Sequence, residues 1–267
     1  MVVKSCIQVK DFLNKTKMKS LDYVVNPNVG CPHKCVYCYA SYMSSFSKHT
    51  EGWGNFLDVK STNKKINPRK VKDKKVMIST VTDPYNKYEE KYCVTRSVLE
   101  QFVGTEAKIT ILTKSDLVLR DVDILKQLKS VEVGLTICML DEQLKKKLEP
   151  KSPSIAQRIE ALKVLKQNGI RTVCYISPFI PEVTDFEKII EVTKEFTDEY
   201  RFEFLNMKGN FKYKIFNFIK QNYPEQISLY GDLYNEFETD YFEKMTDKIK
   251  NYCNKNNIKY NVINKDD

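Results

Sequence analysis

The sequence has little glycine, 8 residues in 267, and it contains no run of about 18 apolar residues. The missing apolar run excludes a helical membrane span, so we expect a protein with no membrane association. The amino-terminal residues also lack the apolar stretch and small-residue cleavage site of a secretory signal. We therefore expect a cytoplasmic protein. Its length fits one large α/β domain or two small ones.

Cysteine is the residue type that this chain has in unusual supply, with eight in total. Three of them are clustered, which fits metal binding in a reducing compartment better than a disulfide framework. Cys138 and Cys174 lie in apolar contexts and are expected to be small core residues. The formal net charge of +9 permits a nucleic-acid partner without demanding one.

The clustered cysteines are Cys31, Cys35 and Cys38, in a C-x3-C-x2-C spacing on a short loop. Iron–sulfur clusters are held by thiolates, usually four to a four-iron cluster. A loop that supplies only three would leave one iron open to a small molecule. The alternative is a structural zinc site with His33, His49 or Cys6 as fourth ligand. Against zinc, no second closely spaced cysteine pair follows downstream.

Short β-branched runs alternate with amphipathic helical runs, a pattern that predicts parallel βαβ units. Ser154 is predicted to cap a helix that ends at Gln167, and Thr184 or Asp185 to cap the next one. The segment 50–75 is interpreted as a long, polar, partly irregular connection. Strands are expected at 23–25, 75–81, 108–113, 131–136, 172–176, 202–206 and 258–263, with aromatic-rich helices at 211–223 and 233–252.

The cysteine motif has an aromatic residue, Tyr37, directly before its last cysteine, and this is the signature of the radical S-adenosylmethionine (SAM) enzymes. From about residue 23 to about residue 185 the chain resembles the spore photoproduct lyase-like (DNA repair photolyase-like) branch of that superfamily. The flanking segments that narrow the match are Asn26-Pro27-Asn28-Val29-Gly30, Tyr39-Ala40 and Thr82-Asp83-Pro84-Tyr85. The resemblance implies a partial (β/α)6, TIM-like barrel over 1–210, with the cluster loop at 28–40. A helical, aromatic-rich extension over 211–267 would pack on the same domain.

The resemblance implies a [4Fe-4S] cluster and SAM as cofactors. Cys31, Cys35 and Cys38 match the cluster ligands, and SAM would bind the fourth iron. Further matches are Tyr37 along the SAM adenine, Thr82 near the SAM amino group, Lys114 at the SAM carboxylate, Thr136 near the ribose, Ile176 and Ser177 beside the adenine, and Arg158 facing the same cavity. The alternative for Arg158 is a helix-surface ion pair with Glu149. The strand-end residues Thr82, Asp83, Lys114, Thr136 and Ser177 also share one end of such a barrel, where reactive groups lie.

The activity implied is reductive cleavage of SAM to a 5′-deoxyadenosyl radical that abstracts hydrogen from a substrate. A flavodoxin- or ferredoxin-like donor would supply the electron. A nucleic acid or nucleotide is the first substrate hypothesis, and a peptide or protein is the second. A non-enzymatic, zinc-stabilised nucleic-acid-binding module is the alternative from another class. The lysine-rich run at 63–75 could follow a phosphate backbone or could be a solvated loop.

One position separates this chain from the DNA-repairing lyase that it resembles. In that enzyme a cysteine just before the position of Thr82 returns a hydrogen atom to the product radical, and this chain has Val81 there. Tyr37 and Tyr39 match the tyrosines that flank the third cluster ligand and are the candidates for a hydrogen-atom relay. Cys138 is the nearest alternative thiol. We therefore expect SAM cleavage without efficient spore-photoproduct repair.

Overall fold

A computed structural model describes residues 2–207, 209, 211–235 and 240–263. Its strands form an eight-stranded sheet and a three-stranded sheet. In chain order the strands are β1 Val3–Gln8, β2 Asn14–Lys15, β3 Tyr23–Val25, β4 Asn28–Val29, β5 Phe56–Ser61, β6 Lys75–Ile78, β7 Lys108–Thr113, β8 Ser130–Thr136, β9 Arg171–Phe179, β10 Glu199–Phe204 and β11 Tyr260–Ile263.

The large sheet confirms the α/β fold with parallel strands that the sequence predicts. Strands β3, β6, β7, β8, β9 and β10 pair in parallel with their neighbours, in that order. The predicted final strand, β11, adds in parallel to β10, and the short β2 closes the other edge in antiparallel pairing. Consecutive parallel strands joined by helices are the arrangement of βαβ units.

The small sheet corrects the interpretation of 50–75 as an irregular connection. β5 lies within that segment and pairs in parallel with β1 and in antiparallel with β4. Phe56, Leu57, Asp58 and Val59 are all buried. The Asp58 carboxylate accepts a hydrogen bond from the Ser5 hydroxyl, so a polar residue sits inside a covered strand.

The helices lie on the apolar face of the large sheet, and two of their N-terminal caps test the sequence predictions directly. The Ser154 side chain and Gln157 form a capping box, and the Asp185 side chain accepts from the Lys188 N–H, so both predicted caps are confirmed. The α-helices are α1 Glu89–Tyr92, α2 Val94–Glu100, α3 Val122–Leu125, α4 Glu142–Leu148, α5 Ile155–Gln167, α6 Phe186–Thr193, α7 Lys212–Asn222, α8 Ile227–Asn235 and α9 Asp240–Lys255. Within the described residues, no helix is long and apolar enough to span a membrane.

Two further helical segments contain 3₁₀ turns. The turn after the cysteine loop is a 3₁₀ helix, Tyr39–Phe46. The connection between β7 and β8 contains the 3₁₀ helix Asp116–Asp121, which is followed directly by the four-residue α3.

One hydrophobic core joins the strands to the carboxyl-terminal extension. Phe211, Ile215, Ile249 and Cys253 are buried in the same cluster as the strand residues. The described residues of the extension therefore pack against the sheet. The domain division at residue 210 stays a prediction, and residue 210 itself lies outside the described part of the chain.

The alternation of side chains along β9 separates this core from an interior cavity. Tyr175 and Ser177 line the cavity, whereas Cys174 and Ile176 belong to the hydrophobic core. Gly134 on the neighbouring strand makes room for Tyr175, because a Cβ at Gly134 would lie 2.4 Å from the Tyr175 ring. The parallel sheet therefore has one apolar face against the helices and one polar face toward the cavity.

Candidate functional site

The cavity has a volume of about 950 Å³ and extends along the inner face of the large sheet. Its lining includes all three cysteines of the loop, so the structure brings together what the spacing predicted. The other predicted residues in its lining are Tyr37, Tyr39, Thr82, Asp83, Lys114, Thr136 and Ser177. Arg158 and Ile176 lie behind this wall: both are buried, and Ile176 is part of the hydrophobic core.

The cysteine loop begins at Gly30, which has a φ of +89°. A Cβ at this position would lie 2.4 Å from the Phe56 carbonyl oxygen, so the loop requires both the conformation and the size of glycine. The Thr82 hydroxyl donates to the Gly30 carbonyl at 2.6 Å. This bond ties the start of the loop to the segment that follows β6.

The Asp83 carboxylate joins three parts of the site. It accepts from the Thr113 hydroxyl at 2.6 Å and from the Lys114 backbone N–H at 2.8 Å. Its Oδ2 also lies 3.4 Å from Nδ1 of His33, inside the cysteine loop. Burial lowers the pKa of His33, although Asp83 opposes the shift. A neutral imidazole is therefore favoured at this position.

Burial determines the protonation state of the thiols in the cysteine loop. It raises the pKa of Cys31 to about 12, with Asp83 adding to the effect, and it raises the pKa of Cys35 well above its ordinary value. Thiols in such surroundings stay protonated unless a metal ion stabilises the thiolate. The loop is thus suited to holding a metal centre and poorly suited to acting as a free nucleophile.

Behind the loop lies a buried network centred on Glu149. The Tyr37 hydroxyl donates to its carboxylate, and Arg158 forms an ion pair with the same group. The Cys138 sulfur lies 3.5 Å from Glu149 Oε1 and 3.8 Å from the Tyr37 hydroxyl. Burial would raise the pKa of Glu149, but the charges of Arg158 and Lys114 outweigh it and hold the pKa at about 2. Glu149 is therefore a carboxylate.

Lys114 is a half-buried cation that lines the same cavity as the loop cysteines. Its Nζ lies 5.7 Å from the centre of the Tyr37 ring. Burial would lower its pKa, but the Cys35 and Glu149 side chains outweigh this and raise it. Lys114 therefore presents a stable positive charge.

The remaining predicted residues occupy different parts of the cavity wall. The buried Thr136 accepts a bond from Arg158 at its carbonyl, at 3.0 Å. The Ser177 hydroxyl donates to Glu203 at 2.6 Å, and the half-exposed Tyr39 donates to the Thr80 carbonyl. Val81 lies in the same wall.

Sequence reasoning missed the charged layer deeper in the cavity. Arg201 donates to both carboxylate oxygens of Glu132, at 2.6 and 2.9 Å, and to Glu199 at 2.8 Å. Arg171 pairs with Glu199 at 2.6 Å, and the Tyr175 hydroxyl accepts from Arg201. The one available signal was the alternation of charged and apolar residues along β8 and β10. Each of the two arginines is paired with a carboxylate, so the net charge of this layer is close to zero.

The fourth ligands proposed for zinc lie in different places. His33 is in the loop beside Asp83, His49 bonds to Asp58 at 2.7 Å, and Cys6 is exposed on β1. Among the described residues, no three Cys, His, Asp or Glu side chains are close enough to hold a single metal ion. Tetrahedral zinc requires its thiolates at about 2.3 Å from one centre. The side chains do not present such a site.

The donor set fits an iron–sulfur cluster. Three thiols line one cavity, their burial disfavours the free thiolate, and a four-iron cluster spreads its ligands more widely than a single ion does. The Lys114 ammonium belongs to the same cavity and lies near the ring of Tyr37. The residues present therefore suit a cluster together with a small ligand that carries a carboxylate.

Comparisons with known proteins agree with this chemistry. The family model of the Radical SAM superfamily matches residues 25–194. The uncharacterized protein MJ0683 of Methanocaldococcus jannaschii is 39% identical over 252 residues, which is 94% of this chain and 93% of that protein. The uncharacterized protein ORF301 of Acidianus two-tailed virus is 29% identical over 185 residues, 65% of this chain and 60% of that protein.

Solved structures show the same fold. Spore photoproduct lyase complexed with dinucleoside spore photoproduct has a TM-score of 0.60 at 14% identity, covering 83% of this chain and 66% of that one. Streptococcus suis SuiB bound to S-adenosylmethionine has a TM-score of 0.58 at 18% identity, covering 90% of this chain and 50% of that one. SuiB bound to the precursor peptide SuiA has a TM-score of 0.56 at 17% identity. The chain thus spans less than two thirds of either neighbour.

Proposed function

The chain belongs to the radical SAM superfamily, and on that premise we propose that it is an enzyme that cleaves SAM reductively and removes a hydrogen atom from a nucleic acid or nucleotide. The observation that carries the proposal is the convergence of three loop thiols and the Lys114 ammonium on one cavity. A zinc-stabilised binding module would give the ammonium no role.

The proposal assigns a role to each residue of the cavity wall. Cys31, Cys35 and Cys38 would hold the cluster, which with SAM supplies one-electron cleavage of the sulfonium and a 5′-deoxyadenosyl radical. Lys114 would bind the SAM carboxylate as a point charge. The Thr82 hydroxyl donates its proton to Gly30, so its lone pairs remain to accept from the SAM amino group.

The other assignments concern the nucleoside half of SAM. Thr136 would lie near the ribose, and the backbone at Ile176 and Ser177 near the adenine. Tyr37, whose ring lines the cavity while its hydroxyl is held by Glu149, would support the adenine. Tyr39 is the candidate for contact with the substrate, because half of its surface is exposed.

Support for a nucleotide substrate comes from the fold and not from the lysine run at 63–75. In that run, Lys64 pairs with Asp11 at 2.7 Å and Lys74 with Asp22 at 3.1 Å, so acidic residues offset part of its charge. Spore photoproduct lyase, a neighbour in fold, is complexed with a dinucleoside. We propose a substrate of that chemical class, a reductant of the flavodoxin or ferredoxin kind and a cytoplasmic location.

A peptide or protein is the second candidate substrate. SuiB, at a TM-score of 0.56, is bound to a precursor peptide. The two candidates differ in where their reactive C–H bonds lie, so isotope transfer can separate them.

The test uses the reconstituted enzyme without oxygen, with SAM, dithionite and deuterated substrates. Deuterated oligonucleotides and deuterated peptides are supplied in separate reactions. Deuterium found in 5′-deoxyadenosine from the oligonucleotides alone supports the proposal. Deuterium from the peptides alone would replace it with the second candidate, and the absence of any SAM-dependent 5′-deoxyadenosine would overturn both.

A further inference from the structure

The buried ion pair between Glu149 and Arg158 does not line the cavity: Glu149 directly follows α4, and Arg158 lies near the start of α5. Both side chains are almost fully buried, at 0% and 1% exposure. Such a pair is expensive to desolvate and is weak evidence of added stability. Its position therefore calls for an explanation in terms of what it contacts.

Each member of the pair bonds to a different part of the candidate SAM site. Glu149 accepts a hydrogen bond from the hydroxyl of Tyr37, the residue directly before the third loop cysteine. Arg158 donates to the Thr136 carbonyl at the end of β8 at 3.0 Å. The pair thus connects the cysteine loop to the strand end that the proposed function places beside the ribose.

Backbone bonds reinforce the connection to the loop. The Val36 N–H donates to the Leu148 carbonyl at 2.8 Å, and the Lys151 N–H donates to the His33 carbonyl at 3.2 Å. The residues on both sides of Glu149 are therefore paired with the loop. Ser152 completes the network, because its hydroxyl lies 2.6 Å from Arg158 and 3.1 Å from Glu149.

We propose that the Glu149–Arg158 pair is a clamp that holds the cysteine loop at a fixed distance from the end of β8. Glu149 and Arg158 are positioning residues: they act through Tyr37 and Thr136 and do not line the cavity. Bound SAM would extend from the cluster on the cysteine loop to the Thr136 end of β8, where its ribose would lie. The clamp therefore fixes the distance that a bound SAM molecule must cover. The role of the clamp in positioning SAM rests on the proposed function. The contacts that form the clamp involve protein groups only and can be tested without any cofactor.

The first test is hydrogen exchange of the full chain without cofactors. Tyr37→Phe removes the bond to Glu149 and leaves the ion pair intact, and Glu149→Gln removes the charge. We expect the Val36 and Lys151 amides to exchange about tenfold faster or more in both variants, while the β7 and β8 amides keep their protection. The control is Glu160→Gln, which alters an exposed ion pair on α5 and should change nothing.

Glu149→Gln leaves Arg158 buried without its partner and could prevent folding. The double variant Glu149→Gln with Arg158→Met removes both charges and should fold, while its loop amides exchange as fast as in Tyr37→Phe. Wild-type protection of Val36 in Tyr37→Phe or in the double variant would overturn the clamp. So would the absence of Val36 protection in the wild-type chain.

The second test separates positioning from simple support of the fold. Reconstituted Tyr37→Phe should contain wild-type iron, yet the change that SAM produces in the paramagnetic resonance spectrum of its reduced cluster should differ. A wild-type response to SAM would overturn the positioning role. If no variant or wild-type chain binds a cluster, the proposed function fails, and the exchange measurement still decides whether the clamp exists.

Discussion

At the residue scale, Lys114 is the side chain to which the proposed function assigns the most direct contact with SAM. Lys114→Met removes a charge-assisted hydrogen bond, which typically contributes about 1.5–3 kcal/mol. We expect SAM affinity, measured by anaerobic titration calorimetry, to fall by roughly 10- to 150-fold while the iron content stays unchanged. Lys126→Met, on the exposed side of the fold, is the matched control. Equal SAM affinity in Lys114→Met and wild type would remove Lys114 from the site.

Val81 leads to a prediction that spore-photoproduct repair is absent or very slow. It lies in the cavity wall, and its side chain has no hydrogen atom that is as readily donated as that of a thiol. We expect the reconstituted enzyme to cleave SAM and to release no more than a trace of thymine from a dinucleotide spore photoproduct. The measurement is thymine released per enzyme. Many turnovers to intact thymine would show that a cysteine at this position is dispensable.

The cavity-lining residues around the cysteine loop were predictable, because a motif or a strand end marks them, whereas the charged layer of the same cavity was missed. The cysteines were predicted from their spacing, and Lys114 was predicted from its position directly after β7. The burial of Glu149 and its bond to Tyr37 could not be found in this way. That bond spans 112 residues of sequence, and no local pattern distinguishes Glu149 from a surface carboxylate on a helix end. The role of such a residue is decided by tertiary packing.

At the element scale, the cysteine loop depends on one backbone position. Gly30→Ala places a Cβ against the Phe56 carbonyl at a positive φ, and the strain should cost about 1–3 kcal/mol. We expect iron content after reconstitution to fall, with the far-UV circular dichroism of the sheet unchanged. Gly52→Ala is the control, because a Cβ there has open space around it. Full iron content in Gly30→Ala would contradict this account of the loop.

The strands show which elements the sequence can predict. The six consecutive parallel strands were recognisable because β-branched residues are concentrated in short runs with helical segments between them. β5 was not predicted, because Asp58, Lys60 and Ser61 make its sequence more polar than that of a typical buried strand. Its partner β1 contributes Ser5, which bonds to Asp58 and thereby permits the burial of a carboxylate. A polar strand of this kind is identified only once its partner is known.

At the scale of the whole molecule, the extension and the sheet share one core, and Glu149 links stability to pH. Its pKa of about 2 lies below its ordinary value of 4.5, so its contribution is complete above the ordinary value and is lost as the pH falls toward 2. The groups that face it are Arg158, Lys114, Tyr37 and Cys138.

We therefore predict that Glu149→Gln lowers the unfolding free energy by about 3–5 kcal/mol at neutral pH, because Arg158 loses its partner. The gap between variant and wild type should narrow as the pH is lowered below 4.5. Urea unfolding at a series of pH values measures the gap, with Glu160→Gln as the control that shows none. A gap that widens in acid would mean that folding raises the pKa of Glu149, and a constant gap would mean that folding leaves this pKa unchanged; either result would contradict the account.

The central claim, that the three loop cysteines hold a cluster that cleaves SAM, is tested most directly by one comparison. The wild type and the Cys31→Ala, Cys35→Ala and Cys38→Ala variants are reconstituted with iron and sulfide without oxygen. Each is then assayed for bound iron and for 5′-deoxyadenosine formed from SAM and dithionite. We predict a brown wild type with about four irons per chain that forms 5′-deoxyadenosine. Each variant should be colourless and inactive, with the core of the fold retained. A colourless, zinc-loaded wild type that forms no 5′-deoxyadenosine would contradict the account.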